Sequence, residues 1–215
     1  MPGSRVRYTT IQNWSTNVIN LTTQRMLVQK DAVGEWIDGN IGSKITMKYP
    51  SVILAGEGAR GDILSMAVAK GTQNQDNGGK AIHLAPNTSS TIVSKSISLD
   101  GGVCSYRGKI KIAPNAANAK TSTKCDALLM DSTSVSNTFP TNDIHRSDAE
   151  IAHEATVSKV SEEQLFYMMS RGLSEDEATS MIVNGFMEPI VKNLPMEYAV
   201  ELNRLIDMSM EGSVG

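Results

Sequence analysis

The stretch from Ala152 to Ala178, AHEATVSKVSEEQLFYMMSRGLSEDEA, divides the chain into two parts with different periods. Upstream of it, apolar and polar residues alternate between clusters of Gly, Ser, Thr and Asn. Downstream, apolar residues recur at helical spacing. A single late change of period points to a β body followed by a helical part, because strands bury every second residue and helices every third or fourth. The same stretch carries a His-Glu pair, His153 and Glu154, just before the change.

Residues 1–158 contain no helical run. Val6 and Tyr8 alternate with Arg5 and Arg7, and Ile45, Met47 and Tyr49 with Lys44, Thr46 and Lys48. Ile110 and Ile112 alternate with Lys109 and Lys111 in the same way, which is the pattern of a strand with one buried face. Between these runs lie turn formers such as Gly39-Asn40, Asp76-Asn77-Gly78-Gly79, Pro86-Asn87 and Asp100-Gly101-Gly102. Gly and Asn tolerate positive φ there. A dozen or so short strands without helical crossovers leave a sandwich, a barrel or a β-helix. No strict repeat selects the last. Ser/Thr-rich strands such as Thr88–Ser98, suited to ladders between coils, lean toward it, as do Asn87, Asn115 and Asn118 at turn positions.

Three helices are expected after Val160. Ser161-Glu162-Glu163-Gln164 and Ser174-Glu175-Asp176-Glu177 both read as capping boxes, in which hydroxyl and N3 side chain each satisfy a free backbone amide. Leu165, Phe166, Met168 and Met169 give the first helix an apolar face, and Gly172 is placed to end it. Ala178, Met181, Ile182 and Phe186 follow, Pro189 is expected to interrupt, and Pro195 suits the first turn of a third helix. There Ala199, Val200, Leu202, Leu205 and Ile206 form the expected buried stripe. The methionines of these helices read mainly as core filler, with a soft partner groove as the alternative. The expected domains are 1–158, β, and 159–215, helical.

Charge narrows the partners. The net charge is -3, which argues against nucleic acid, since phosphate neutralisation needs a basic surface. From Lys159 onward there are four basic and ten acidic residues, net -6, leaving +3 for the rest. The acidic end reads as a solvated helical surface or a docking face. No apolar run approaches the ~20 residues of a membrane span, and the start MPGSRVRYTT lacks the apolar core of a signal peptide. A cytoplasmic location is the expectation, and two cysteines suit a reducing compartment.

Residues that could carry chemistry are few. There is no P-loop, G-x-S-x-G, C-x-x-C or H-E-x-x-H, and His153-Glu154-Ala155-Thr156 lacks the second His of a zinc protease. Cys125 lies in Lys120-Thr121-Ser122-Thr123-Lys124-Cys125-Asp126, where two lysines would favour the thiolate if they lie close to it. Cys104 reads as structural. His153 and Glu154, being adjacent, should face opposite sides of a strand. His83 and His145 read as ordinary hydrogen-bonded histidines.

Several segments together carry a resemblance: Val6-Arg7-Tyr8-Thr9-Thr10-Ile11-Gln12-Asn13-Trp14, Ser105-Tyr106-Arg107-Gly108, the Cys125 strand, and His153-Glu154-Ala155-Thr156. It continues through Glu163-Gln164-Leu165-Phe166-Tyr167, Ser170-Arg171-Gly172, Ser180–Phe186 and Glu211–Gly215. On these the chain resembles the SufB branch of the SufB/SufD family of iron–sulfur cluster assembly proteins. Glu154 separates it from the SufD branch, which typically lacks that residue. The resemblance implies a right-handed parallel β-helix followed by a small helical domain, here as the C-terminal portion of the family's chain. It implies a non-enzymatic scaffold that binds a transient iron–sulfur cluster and works with the ATPase SufC, with SufD or a second SufB copy, and with a cysteine desulfurase system. ATP would enter only through SufC.

By position, the resemblance makes Cys125 the sulfur acceptor and cluster ligand, with His153 and Glu154 as further ligand candidates. It places SufC on the helices, with Glu163, Gln164, Phe166, Tyr167 and Arg171 as contact candidates. Many members carry an acid immediately before the His. Here it is Ala152, so that role is absent or moved, with Glu150 as a substitute. Two other readings stand beside the scaffold. One is a SufD-like structural subunit that docks the ATPase without carrying the cluster. The other is a β-helix enzyme acting on polysaccharide, against which the 5% aromatic content counts.

Overall fold

A computed structural model describes residues 1–210 of the chain. It is a parallel β-helix of about five turns followed by a small helical part. The first coil holds β1 (Arg5–Gln12), β2 (Ile19–Thr22) and β3 (Arg25–Val28), and the second β4 (Val33–Asn40), β5 (Ile45–Lys48) and β6 (Ser51–Leu54). The third holds β7 (Arg60–Lys70), β8 (Asn74–Asn77) and β9 (Lys80–His83), and the fourth β10 (Ser89–Leu99) and β11 (Val103–Ile112). The fifth holds β12 (Lys120–Leu129) and β13 (Val135–Ile144), and β14 (Glu150–Lys159) lies on top of it.

One sheet runs β1-β4-β7-β10-β12-β14, and the second face is built from the remaining strands, all pairs being parallel. Arg5, Val33, Arg60, Ser89, Lys120 and Glu150 form one column of register partners. The rungs are therefore 27 to 31 residues long. This uneven length hides the repeat from a search at fixed period.

One corner needs a left-handed residue in nearly every coil. Gly3, Asp31, Gly58, Asn87 and Asn118, each two residues before a strand of the first sheet, have φ between 53° and 67°. Gly, Asp and Asn enter this region at the least steric cost. The amide of Asn118 donates to Asn87 Oδ1 (3.1 Å) and that of Asn87 to Glu57 Oε1 (3.2 Å), a ladder along the corner. The expected corner role thus holds for Asn87 and Asn118 but not for Asn115, whose φ is not positive.

Between the sheets lie Val28, Trp36, Val52, Leu54, Ile63, Ile92, Tyr106, Ile110, Ile112 and Cys125, with alanines at the corners. The interior is also polar. Lys48 is fully buried on Asp38, whose carboxylate accepts from Thr10 (2.6 Å) and Asn40 (2.7 Å). His83 is buried between the hydroxyls of Thr88 (2.8 Å) and Ser90 (3.0 Å), and Ser90 donates to Thr121 (2.8 Å) on the next rung. These contacts realise the expected Ser/Thr ladder. His145 rests on Asp143 at 2.8 Å.

The helical part comprises α1 (Glu162–Met169), α2 (Glu175–Val191) and α3 (Met196–Met210). Ser174 and Glu177 form a complete capping box, whereas at Ser161 only the hydroxyl acts, accepting from the Gln164 amide. Gly172, at φ 96°, follows the end of α1. Pro189 does not interrupt. It sits in the last turns of α2, where the i-4 residue is Gly185, with open space beside it, and the helix continues to Val191. Pro195 precedes α3 rather than opening its first turn, and its carbonyl accepts from the Ala199 amide at 2.9 Å.

Val183, Met187, Ile190, Leu202, Leu205 and Ile206 pack on Ile41, Met66, Val68, Ile97, Leu99 and Leu128. α2 and α3 therefore cover the outer face of the first sheet at the ends of its strands. Two expectations for the helices fail. Val200 faces solvent rather than the stripe, and α1 buries none of its residues. The described methionines here are mostly surface, with Met169, Met181, Met196 and Met208 exposed and only Met187 fully buried. Met210's side chain and residues 211–215, the last segment of the resemblance, lie outside what is described. Among the described residues no helix is long and apolar enough to cross a membrane.

Candidate functional site

Strand alternation on the last two rungs sorts the candidate ligands. On β12, Thr121, Thr123 and Cys125 face the interior and are buried, while Lys120, Ser122 and Lys124 face outward. On β14, His153 pairs with Thr123 and Ala155 with Cys125, so both take the inner face. Cys125 and His153 are therefore diagonal neighbours on one face, roughly 8 Å apart along the backbone from the strand spacing and rise. Glu154 pairs with Lys124 on the outer face, where the two side chains meet at 3.5 Å. The opposite facing expected for His153 and Glu154 is what the register shows.

The lysines do not activate the thiol. Lys120 is engaged by Glu150 (2.8 Å) and Lys124 by Glu154, both on the far side of the sheet from Cys125. Burial instead dominates and pushes the Cys125 thiol up to about 12, with the Tyr106 hydroxyl opposing and Asp126 adding to the rise. Cys125 is 5% exposed. Cys104 is also held up, to about 11, and its thiol donates to the Ile97 carbonyl, which fits the structural role expected for it.

Glu150 does not replace the acid that Ala152 lacks. It shares the outer face with Ala152 and Glu154, at the start of β14 and well before Ala155, the partner of Cys125, and is held by Lys120. Among the described residues no three His, Cys, Asp or Glu side chains converge as a metal site. This chain thus brings Cys125 and His153 to one face and leaves Glu154 on the other.

Among the described residues no further rung lies beyond β14, and every residue of that strand is exposed, including the apolar Ile151 and Val157 that pair with buried partners on β12. The end of the β-helix above Cys125 is open. Two residues beside the thiol escaped the sequence reading of the site, Tyr106 and Thr123. The alternation of Ile110 and Ile112 extends back to Tyr106 and could have placed it inside.

On the helical side, Glu163, Gln164, Phe166, Tyr167 and Arg171 are all exposed, Phe166 at 74%. Arg171 stacks on the Tyr167 ring at 5.0 Å and donates to its hydroxyl at 2.8 Å. Glu163, Gln164 and Tyr167 line, with Met168, Met181, Ile182 and Gly185, a mainly apolar groove of about 570 Å³ between α1 and α2. Phe166 and Arg171 are not among its walls. The methionines that line it are the part that composition alone assigned to the core.

Known proteins bear on this arrangement. The family model described as SUF system FeS cluster assembly, SufBD core domain, matches residues 1–186. The chain belongs to the SufB/SufD family. It is 62% identical over 213 residues to the iron–sulfur cluster assembly protein SufB of Bacillus subtilis, covering 99% of this chain and 46% of that protein. It is 61% identical over 214 residues to a SufBD family protein of Mycobacterium tuberculosis, covering 100% of this chain and 25% of that one. A Staphylococcus saprophyticus SufBD family protein is 59% identical over 212 residues, again spanning 46% of its length. The chain thus spans half or less of the length of these relatives. The family assignment supports iron–sulfur cluster assembly as the setting in which the open end and the helical groove are to be read.

Proposed function

We propose that the chain is part of a SufB-type assembly scaffold, not an enzyme, working in the cytoplasm without contact to nucleic acid or membrane. Cys125 accepts sulfur, and a transient iron–sulfur cluster forms at the open terminal rung, with ligands completed by a partner chain, SufD or a second SufB copy. The observation that carries this is the facing of Cys125 and His153 toward an uncapped end where, among the described residues, no third ligand converges. A cluster normally takes about four protein ligands, so the site is complete only across an interface. Glu154 reaches such a cluster only if it sits beyond the free edge of β14, where both faces of the strand are within reach. A cluster held by so few groups from one chain suits a product that is passed on.

The partner edge is consistent with this. β14 and the outer residues of β13 present unpaired backbone and exposed apolar side chains, such as Phe139 and Val157, and an edge of this kind pairs readily with another chain. The groove of Glu163, Gln164, Tyr167, Met168 and Met181 is the dock for the SufC ATPase, with Phe166 and Arg171 on its rim. Sulfur arrives from a cysteine desulfurase system, and ATP acts only through SufC.

A second reading, a SufD-like subunit without cluster chemistry, draws on the deep burial of Cys125. Anaerobic reconstitution of the full complex with iron and sulfide, read by absorbance and EPR, separates the two. The scaffold reading expects cluster in the wild type and its loss in Cys125→Ala. Wild-type cluster content in Cys125→Ala favours the structural subunit.

A further inference from the structure

Two hydroxyls of the inner wall near Cys125 lack a well-formed hydrogen bond. The Tyr106 phenol oxygen and Thr123 Oγ1 are buried without a well-formed hydrogen-bond partner, in residues only 7% and 3% exposed. Such orphaned groups are destabilising, and buried polar groups are nearly always satisfied. Tyr106 meets the Cys125 thiol, and Thr123 stands on the same inner wall. Tyr106, from β11 on the opposite sheet, packs in the same core cluster as Cys125 and interacts with its thiol. Thr123 lies two residues before Cys125 on the same inner face of β12.

The surroundings keep that space available. Gly108, next on the inner face of β11, has no side chain, and a Cβ there would stand 2.8 Å from the Tyr106 hydroxyl. On the rung above, the residue paired with Cys125 is Ala155, flanked on the same face by His153 and Val157, with no further coil over that strand among the described residues. A small sulfur donor can therefore approach from the open end over the short Ala155 side chain.

We propose that Tyr106 and Thr123 are positioning residues that donate hydrogen bonds to the terminal sulfur of a persulfide carried on Cys125. The inference rests on the reading of Cys125 as sulfur acceptor and adds what holds the sulfur once it arrives. The donor is a hydropersulfide, R–S–SH. The Cys125 sulfur attacks the outer sulfur, a new S–S bond forms, and the old S–S bond breaks with its electron pair leaving on R–S. The Cys125 thiol proton balances the departing thiolate, so R–S–SH and Cys125–SH become R–SH and Cys125–S–SH with no net redox change. The Thr123 hydroxyl then gains the partner it lacks in the resting site, and the Tyr106 hydroxyl exchanges its contact with the thiol for the terminal sulfur.

The test loads the full complex with sodium tetrasulfide and follows the mass of the Cys125 peptide by mass spectrometry. The half-life of the added sulfur against glutathione is then compared among Tyr106→Phe, Thr123→Val, Thr123→Ser and wild type. The expected result is a half-life shortened about tenfold in Tyr106→Phe and in Thr123→Val, the effect of one lost hydrogen bond, and retained in Thr123→Ser. Thermal midpoints stay level or rise, because each variant removes an unsatisfied group. Wild-type half-lives in both Tyr106→Phe and Thr123→Val overturn the hydroxyl assignment while leaving Cys125 as acceptor. Absence of added sulfur on Cys125 in the wild type overturns the acceptor reading itself. Should Tyr106→Phe not fold, the Thr123 pair of variants decides alone.

Discussion

Cys125 and His153 share the inner face of the last two rungs, whereas Glu154 stands on the outer face against Lys124 at 3.5 Å. The geometry separates a buried sulfur position from a rim position one strand later. A site that uses all three has to reach both faces of β14.

The burial of the two thiols has a direct readout. Burial holds Cys125 near 12 and Cys104 near 11, and the thiolate is the nucleophile. At pH 8 the native protein should react with a disulfide reagent far more slowly than a free thiol does. Both cysteines should become reactive at the free rate in denaturant. The sign for stability follows: a raised folded value favours the protonated folded state, so this contribution is present below pH 9 and lost as pH rises toward 12.

Acid acts on Glu35 in the opposite sense. The Arg5 hydrogen bond, joined by Arg7, outweighs desolvation and holds its carboxylate at about 2, against 4.5 ordinarily. A depressed value gives stability that is present above pH 4.5 and lost as pH falls toward 2. His83, which burial holds near 4, adds a loss between pH 6.5 and 4, because the unfolded chain takes up the proton first. Thermal midpoints across pH should fall in both windows, and Glu35→Gln should shrink the lower one, to which Asp148 and Asp131, also held below the usual carboxylate range, contribute the rest.

The helical part offers a contrast between buried and exposed positions. Met187→Ala and Ile206→Ala, in the contact with the first sheet, should each cost about 2–5 kcal/mol. Val200→Ala, at an exposed position, should stay within about 0.5 kcal/mol of wild type. Denaturant midpoints check the difference.

The proposed ATPase dock is best tested by point variants. Deleting residues 161–215 would also uncover Met66, Val68, Ile97 and Leu99, so lost binding would not be specific. Tyr167→Ala and Met181→Ala, on the exposed groove, should leave thermal stability unchanged and weaken SufC pull-down at least about tenfold, the loss of a single anchor. Undiminished binding in both would remove the groove as the dock.

Much of the architecture was legible from period alone. The late switch from alternation to helical spacing located the seam to within a few residues, and the Ser174 capping box and the positive-φ asparagines were readable from local chemistry. The β-helix itself was not, because rungs of 27 to 31 residues and faces split at Pro50 and Gly78-Gly79 leave no fixed repeat. The resemblance supplied it. Phe166 and Met181 were read as core because amphipathic spacing says that a face is apolar, not what covers it. The lysines around Cys125 misled for a related reason: sequence neighbours in a strand stand on opposite faces. Tyr106 was missed because its partner is 19 positions away on another strand.

The central claim is that the cluster forms at the terminal rung with ligands from two chains. The most direct measurement is anaerobic reconstitution of the protein with iron and sulfide, followed by size-exclusion chromatography with simultaneous absorbance and light scattering. The account predicts cluster absorbance only in species containing two or more chains, and none on the monomer. A cluster-bearing monomer that survives the column would contradict it.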